Sequence, residues 1–221
     1  MNKIIAANWK MNKSSKEAED FLRRIEISDK NTVIIFPSFT ALPAVSSIIG
    51  RHHSGAQNVF YEEKGAYTGE ISPVMVKEFA DYALIGHSER RALWETDEII
   101  NKKVKAAQNA GLKILLCVGE AKGQDRNRTL ETQLRKGLMG ANEKNIVIAY
   151  EPVWAIGTGL TAKTAEIAEA VSFIKTLHKC SVIYGGSVNA SNAKDMLSVC
   201  DGLLVGGASL DAEGFRNIIQ L

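Results

Sequence analysis

Short, continuous runs of apolar and β-branched residues recur along the chain at Ile4–Ala7, Val33–Phe36, Ala56–Val59, Tyr82–Ile85, Ile114–Val118, Ile146–Tyr150, Val182–Tyr184 and Leu203–Val205. Runs that stay apolar instead of alternating fit parallel strands buried on both faces. Between them, apolar residues repeat at helical spacing over Ser15–Ile25, Ala41–Ile49, Pro73–Phe79, Glu98–Ala110, Thr129–Leu138, Ala165–Leu177, Asn192–Leu197 and Ala212–Ile219, with Ala41–Ile49 the weakest pattern. Strand then helix, repeated, implies parallel pairing through right-handed crossovers. Eight such units close into a (β/α)8 barrel, an α/β fold of eight parallel strands surrounded by helices. A doubly wound open sheet is the competing arrangement. No Pro- or Ser-rich linker divides the chain, so residues 1–221 read as a single domain.

Composition changes this picture little. At 221 residues the chain can bury one sizeable core, and its 45% apolar and 24% charged residues are ordinary for a globular protein. A formal charge of +2 gives no reason to expect a nucleic-acid or membrane-surface partner. Cys117, Cys180 and Cys200 are an odd number, widely spaced, which suits neither a disulfide framework nor a zinc site; no metal is expected. The opening MNKIIAANWK holds too short an apolar run for a signal peptide or a membrane span, and a cytoplasmic protein is the expectation.

In a barrel, the residues just after each strand share one rim, where a site is built. Here they are Asn8 and Lys10 after the first strand, His87 and Glu89 after the fourth, Glu151 after the sixth, and glycine pairs after the last two, in YGGSVN (184–189) and VGGASL (205–210). Either pair alone reads as a tight turn. Two pairs after adjacent strands point to phosphate, because glycine lets backbone N–H groups approach a ligand and this position favours an anion beside a short helix. A lysine, an imidazole and an amide converging opposite a carboxylate suit a reaction in which charge develops on oxygen while a proton leaves carbon. Glu151 is the candidate base, and shielding from water would strengthen it. The segment that follows supplies a cover: Pro152, Val153 and Trp154 form a stiff near hinge, Ala155 to Thr158 a small-residue tip, and Gly159 onward a flexible far hinge. GTGLTA (157–162) fits a dinucleotide fingerprint, but residues 151–156 separate it from the strand and no acidic residue is placed for a ribose.

Taken in order, AANWKMN, GAQNV, GAYTGEIS, IGHSERR, AYEPVWAIGTG, IYGGSVN and GLLVGGASL make the sequence resemble the triosephosphate isomerases from end to end. The resemblance implies a TIM barrel that interconverts dihydroxyacetone phosphate and D-glyceraldehyde 3-phosphate with no cofactor, in glycolysis, gluconeogenesis and the pentose phosphate pathway. Carried over by position, Glu151 would move the proton between carbons, neutral His87 would polarise the carbonyl, and Lys10 would supply positive charge. Asn8 would orient the oxygens and Glu89 would position Lys10. The N–H groups of Gly157, Ser187, Gly206 and Gly207 would hold the phosphate. GAYTGE (65–70) resembles the family's interdigitating loop, so Thr68 would reach a partner's site in a homodimer.

Departures from the family pattern are a chain below the roughly 250 residues typical of the fold, trimming after Glu120 and between Leu177 and Val182, a missing glycine in RALWETDE (91–98), and Leu160 at the far hinge. A barrel that only binds phosphate, or another phosphosugar isomerase or aldolase, remains a rival reading, since the fold alone does not choose. His52, His53 and His178 receive no role, and Cys117 reads as packing.

Overall fold

The computed structural model describes residues 2–27, 30–157 and 161–221. Eight strands, β1 (Ile4–Asn8), β2 (Thr32–Phe36), β3 (His53–Ala56), β4 (Tyr82–Ile85), β5 (Lys113–Val118), β6 (Ile146–Tyr150), β7 (Ser181–Tyr184) and β8 (Gly202–Val205), pair in parallel in chain order. The ring closes where β8 pairs with β1, Leu203 lying opposite Ile5. The helices are α1 (Ser15–Arg24), α2 (Leu42–Ile48), α3 (Pro73–Lys77), α4 (Ser88–Leu93), α5 (Asp97–Asn109), α6 (Arg126–Gly137), α7 (Thr164–Leu177), α8 (Ala193–Leu197) and α9 (Ala212–Ile219). None is long and apolar enough to cross a membrane.

The continuous apolar runs resolve into two cores because successive side chains on a strand point to opposite faces. Ala6, Ile34, Phe36, Leu84, Leu115, Cys117, Val147, Ala149, Ile183 and Leu204 fill the barrel interior. Their neighbours, such as Ile5, Val33, Ile85, Leu116, Ile148 and Val205, face outward and pack with helix residues including Phe21, Ile100, Ile167 and Phe215. Helix starts are set locally. Ser14 and Glu17 form a reciprocal capping box at α1, while Ser72, Thr96, Asp125 and Asp211 each accept an N–H in the first turn of their helix.

Three expectations need correction. The third strand is His53–Ala56, overlapping the expected Ala56–Val59 only at its last residue. Its centre has no apolar run because the Phe36 ring fills the space that a Cβ on Gly55 would need. Helix α4 does not figure among the expected helices, since it is six residues long and buries none of them, leaving no apolar stripe to detect. α6 also starts three residues earlier than expected, where the Asp125 carboxylate accepts the Arg128 N–H at 2.9 Å.

Closure depends on a glycine. A Cβ on Gly202 would run into the Ile4 backbone across the β1–β8 seam, and backbone cannot move aside as a side chain can. Gly202→Ala is therefore expected to cost roughly 3 kcal/mol, the upper end of ordinary overpacking, read as a fall in the urea midpoint at unchanged m-value.

Candidate active site

The strand alternation that fills the barrel also aims the site. On β1 the inward phase runs through Ala6 to Asn8, and on β6 through Val147 and Ala149 to Glu151, so the first polar residues beyond the apolar filling face the same interior. Both are buried, Glu151 with 3% of its surface exposed. With Lys10, His87, Ile156, Gly157, the loop 185–189 and residues 204 and 206–208, they line one cavity of ≈ 290 Å³ at the C-terminal ends of the strands, near the lower end of the size range for small-molecule sites.

Glu151 and His87 touch. The carboxylate Oε1 lies 3.3 Å from Nε2 of the imidazole, and Oε2 accepts the Ser88 N–H at 3.4 Å. The sequence placed this carboxylate opposite the imidazole; the structure puts the two in contact, because the imidazole and the start of α4 offer N–H donors to a carboxylate removed from water. His87 caps α4, its Nδ1 accepting the Glu89 N–H at 3.3 Å. That bond needs a lone pair on Nδ1, so the tautomer that satisfies every group carries its proton on Nε2, aimed at Glu151. Burial disfavours a charged imidazole, but Glu151, by charge and hydrogen bond, and then Glu89 outweigh this and raise the His87 pKa. Protonation is thus made easier by the carboxylates, yet it costs the Glu89 N–H its acceptor.

Lys10 has a left-handed backbone, φ 54°, and its N–H donates to Asn8 Oδ1 at 3.1 Å. Its Nζ pairs with Glu89 Oε1 at 2.5 Å, and its Cε lies 3.7 Å from the place a Cβ would take on Gly206. The cation therefore sits beside the second glycine pair. Gly207 opens a 3-10 turn (Gly207–Ser209), the short helical start expected near an anion. Glu89 reaches Lys10 but does not line the cavity, and Thr68 lies on an exposed turn away from it.

Gly157 is exposed with φ 68°. The last residue of the expected lid tip, Thr158, and the start of the far hinge, Gly159 and Leu160, lie outside the described residues, as does half of the GTGLTA decoy. The segment's two ends are pinned. On the near side, residues 153–155 form a 3-10 turn, and Glu120 Oε1 accepts both the Trp154 indole N–H at 3.1 Å and the Tyr150 hydroxyl at 3.2 Å. On the far side the Ala162 N–H donates to the Tyr184 hydroxyl at 3.4 Å. Ser187 bridges the two ends, donating its hydroxyl to Ala155 O at 2.6 Å while its carbonyl accepts from Thr161 at 3.4 Å. Burial and then Glu120 push the Tyr150 pKa up, so it remains a donor; burial likewise raises Tyr184 to about 12.

Several residues that matter to this geometry carry no local sequence signal. A Cβ on Gly185 would stand 2.9 Å from Glu151 Cγ, so that glycine makes room for the acid as well as freeing an N–H. Arg91 binds Gly86 O at 2.8 Å and Cys117 O at 3.2 Å, fixing the loop that carries His87 to β5. The Cys117 thiol, read as packing, fills the barrel interior; burial and then the nearby Glu151 carboxylate raise its pKa and keep it protonated. Among the described residues no cluster of three His, Cys, Asp or Glu side chains could hold a metal.

A closed (β/α)8 barrel whose C-terminal rim gathers a carboxylate, an imidazole, a lysine and two glycine turns in one small cavity is an α/β-barrel enzyme. A family model described as triosephosphate isomerase matches residues 3–221. A triosephosphate isomerase of Dehalococcoides mccartyi is 44% identical over 240 residues, covering 98% of this chain and 96% of that protein. Another, of Dictyoglomus thermophilum, is 46% identical over 245 residues, with 99% and 98% covered. The crystal structure of triosephosphate isomerase from Bartonella henselae superposes with a TM-score of 0.89 at 39% identity, over 99% of this chain and 98% of that one. The chain belongs to the triosephosphate isomerase family.

Because the folded His87 pKa lies above its ordinary value, its stabilising effect is complete below that ordinary value and fades as pH rises through the folded one. Replacing the carboxylate by Glu151→Gln leaves burial unopposed by its main counterweight. The His87 titration followed by NMR is expected to move to lower pH in that variant; an unchanged titration would show that Glu151 does not set it.

Proposed function

We propose that the protein interconverts dihydroxyacetone phosphate and D-glyceraldehyde 3-phosphate through an enediol(ate), with no metal or organic cofactor. The observation that carries this reading is that Glu151, His87, Lys10 and both glycine turns line one cavity. Glu151 takes the proton from the carbon beside the carbonyl, and the electron pair moves onto the carbonyl oxygen. Lys10 and the Nε2–H of His87 stabilise that oxygen, electrostatic help being worth most where water is excluded. His87 donates its proton to that oxygen and takes one from the neighbouring hydroxyl; Glu151 then returns its proton to the adjacent carbon. Asn8 orients the oxygens, Glu89 holds Lys10 in place, and N–H groups at Gly157, Ser187, Gly206 and Gly207 receive the phosphate.

A substrate placed between the carboxylate and the imidazole requires Glu151 to rotate away from Nε2 and Ser88. The segment after β6 is suited to drive this, since Glu151 precedes the Trp154 anchor by only three residues. Closure there would also protect an enediolate from expelling its neighbouring phosphate.

A coupled assay supplied with each triose phosphate and no added cofactor tests the reaction. Turnover in both directions, abolished by Glu151→Gln, supports it; binding without turnover would leave a phosphate-binding barrel instead. Glu151→Asp, which withdraws the carboxylate by one methylene, is expected to lower kcat roughly a hundredfold, as a misplacement of about 1 Å can, with KM changed far less.

A homodimer is part of the same proposal. Met11, beside Lys10, is 96% exposed, and Phe60, Tyr61 and Tyr67 cluster on the loop that carries Thr68, apolar surface that a second copy would cover. Sedimentation at assay concentration is expected to show a dimer, and a fully active monomer is the result that counts against it.

A further inference from the structure

Lys13 lines no part of the cavity and has no role in the reaction above. Its backbone is nonetheless left-handed, φ 66°, a conformation that disfavours any residue with a Cβ and that glycine adopts freely. A lysine held there points to a use for its side chain. Its Nζ donates to the Leu210 carbonyl at 2.9 Å and stands 4.3 Å from the centre of the Phe21 ring and 5.5 Å from that of Trp9, within range for attraction to both faces. These partners belong to two groups: Leu210 follows the Gly207 turn, while Trp9, next to Lys10, packs against Phe21 of α1.

Trp9 is fully buried, lies between Asn8 and Lys10 in the chain, and packs against Phe21 at 5.2 Å, nearly edge to face. Leu210 closes the turn that begins at Gly207, its N–H donating to Gly207 O at 3.1 Å. The ammonium therefore touches both the segment that presents Asn8 and Lys10 and the segment that presents the Gly206 and Gly207 N–H groups. The β1–β8 hydrogen bonds stop at the strand ends, with Ala7 opposite Val205, leaving the two loops beyond them to be joined by side chains.

We propose that Lys13 is a positioning residue for phosphate recognition, tying the 207–209 turn to the Trp9–Phe21 pair and so setting the separation between Lys10 and the glycine N–H groups. The inference rests on the isomerase reading for its substrate, but the tie itself is a property of the two loops. A residue with this role governs how well the anion is held more than how fast the proton moves.

The test compares Lys13→Met, Lys13→Arg and Lys13→Gly with the parent, measuring kcat and KM for D-glyceraldehyde 3-phosphate, competitive inhibition by inorganic phosphate, and Tm. In Met and Gly variants KM and the phosphate inhibition constant are expected to rise together, roughly fivefold, the size of effect transmitted through a contiguous network, with kcat nearly unchanged and Arg restoring most of the loss. Lys13→Gly, which relieves the left-handed backbone, should show this without a fall in Tm, and it decides the matter if the Met variant does not fold. Parent-like KM and phosphate inhibition in Lys13→Gly would overturn the proposal. Should the parent turn over neither triose phosphate, the isomerase reading fails, and inorganic phosphate titrated into parent and Lys13→Gly by NMR still judges the tie: equal affinity refutes it, weaker affinity in the variant supports it.

Discussion

Closing the sheet on itself is the constraint from which the rest follows. Parallel strands with no free edge present one inward and one outward face, so every second side chain must fill the interior until the strand ends. Where the apolar filling stops, the next inward position meets the mouth of the barrel, and there β1 presents Asn8 and β6 presents Glu151. Chemistry and packing share one periodicity. The acid is therefore held by a rigid strand end, while the groups that must adapt to a ligand sit on the loops beyond.

Burying Glu151 leaves a carboxylate that must find donors within the protein, because an unpaired buried charge is costly. It finds them at the start of α4, where the Ser88 N–H and the imidazole of His87 face the mouth. The segment after β6 is held at its near end by Glu120, which accepts both the Trp154 indole and the Tyr150 hydroxyl, and at its far end by the Tyr184 hydroxyl. Tyr150 and Tyr184 occupy equivalent last positions on neighbouring strands, 6.2 Å apart between ring centres. Their rings face outward into the packed layer between sheet and helices.

Space at the rim is allotted by glycine. Gly185 yields to the Glu151 side chain, Gly186 to the Tyr184 hydroxyl, and Gly119 to the Glu151 carbonyl. The glycine pair after β7 thus has a second purpose beside offering N–H groups. It lets Glu151 and Tyr184 lie against the same loop.

How much of this was legible depends on whether the signal was local. Seven strands and most helices could be read because burial on two faces and on one stripe imposes periods that a linear sequence displays, and Asn8, Lys10, His87 and Glu151 could be singled out because each ends or follows a strand. The third strand was misplaced since its inward position is a glycine, Gly55, that yields to Phe36, a neighbour nineteen residues away in the chain. Helix α4 escaped notice for want of a buried face. By itself the sequence determined the alternation of strands and helices, the phase of the strands and which polar residues end or follow them, all of which follow from residue type and spacing along one strand or helix. Only the tertiary structure decided that the ring closes, which donor Glu151 rests against, that Glu120 and Tyr184 hold the two ends of the segment after β6, and that Lys13 spans two loops, because these are distances between segments nearly 200 residues apart at the most, fixed by closure of the ring and by nothing written in either segment alone.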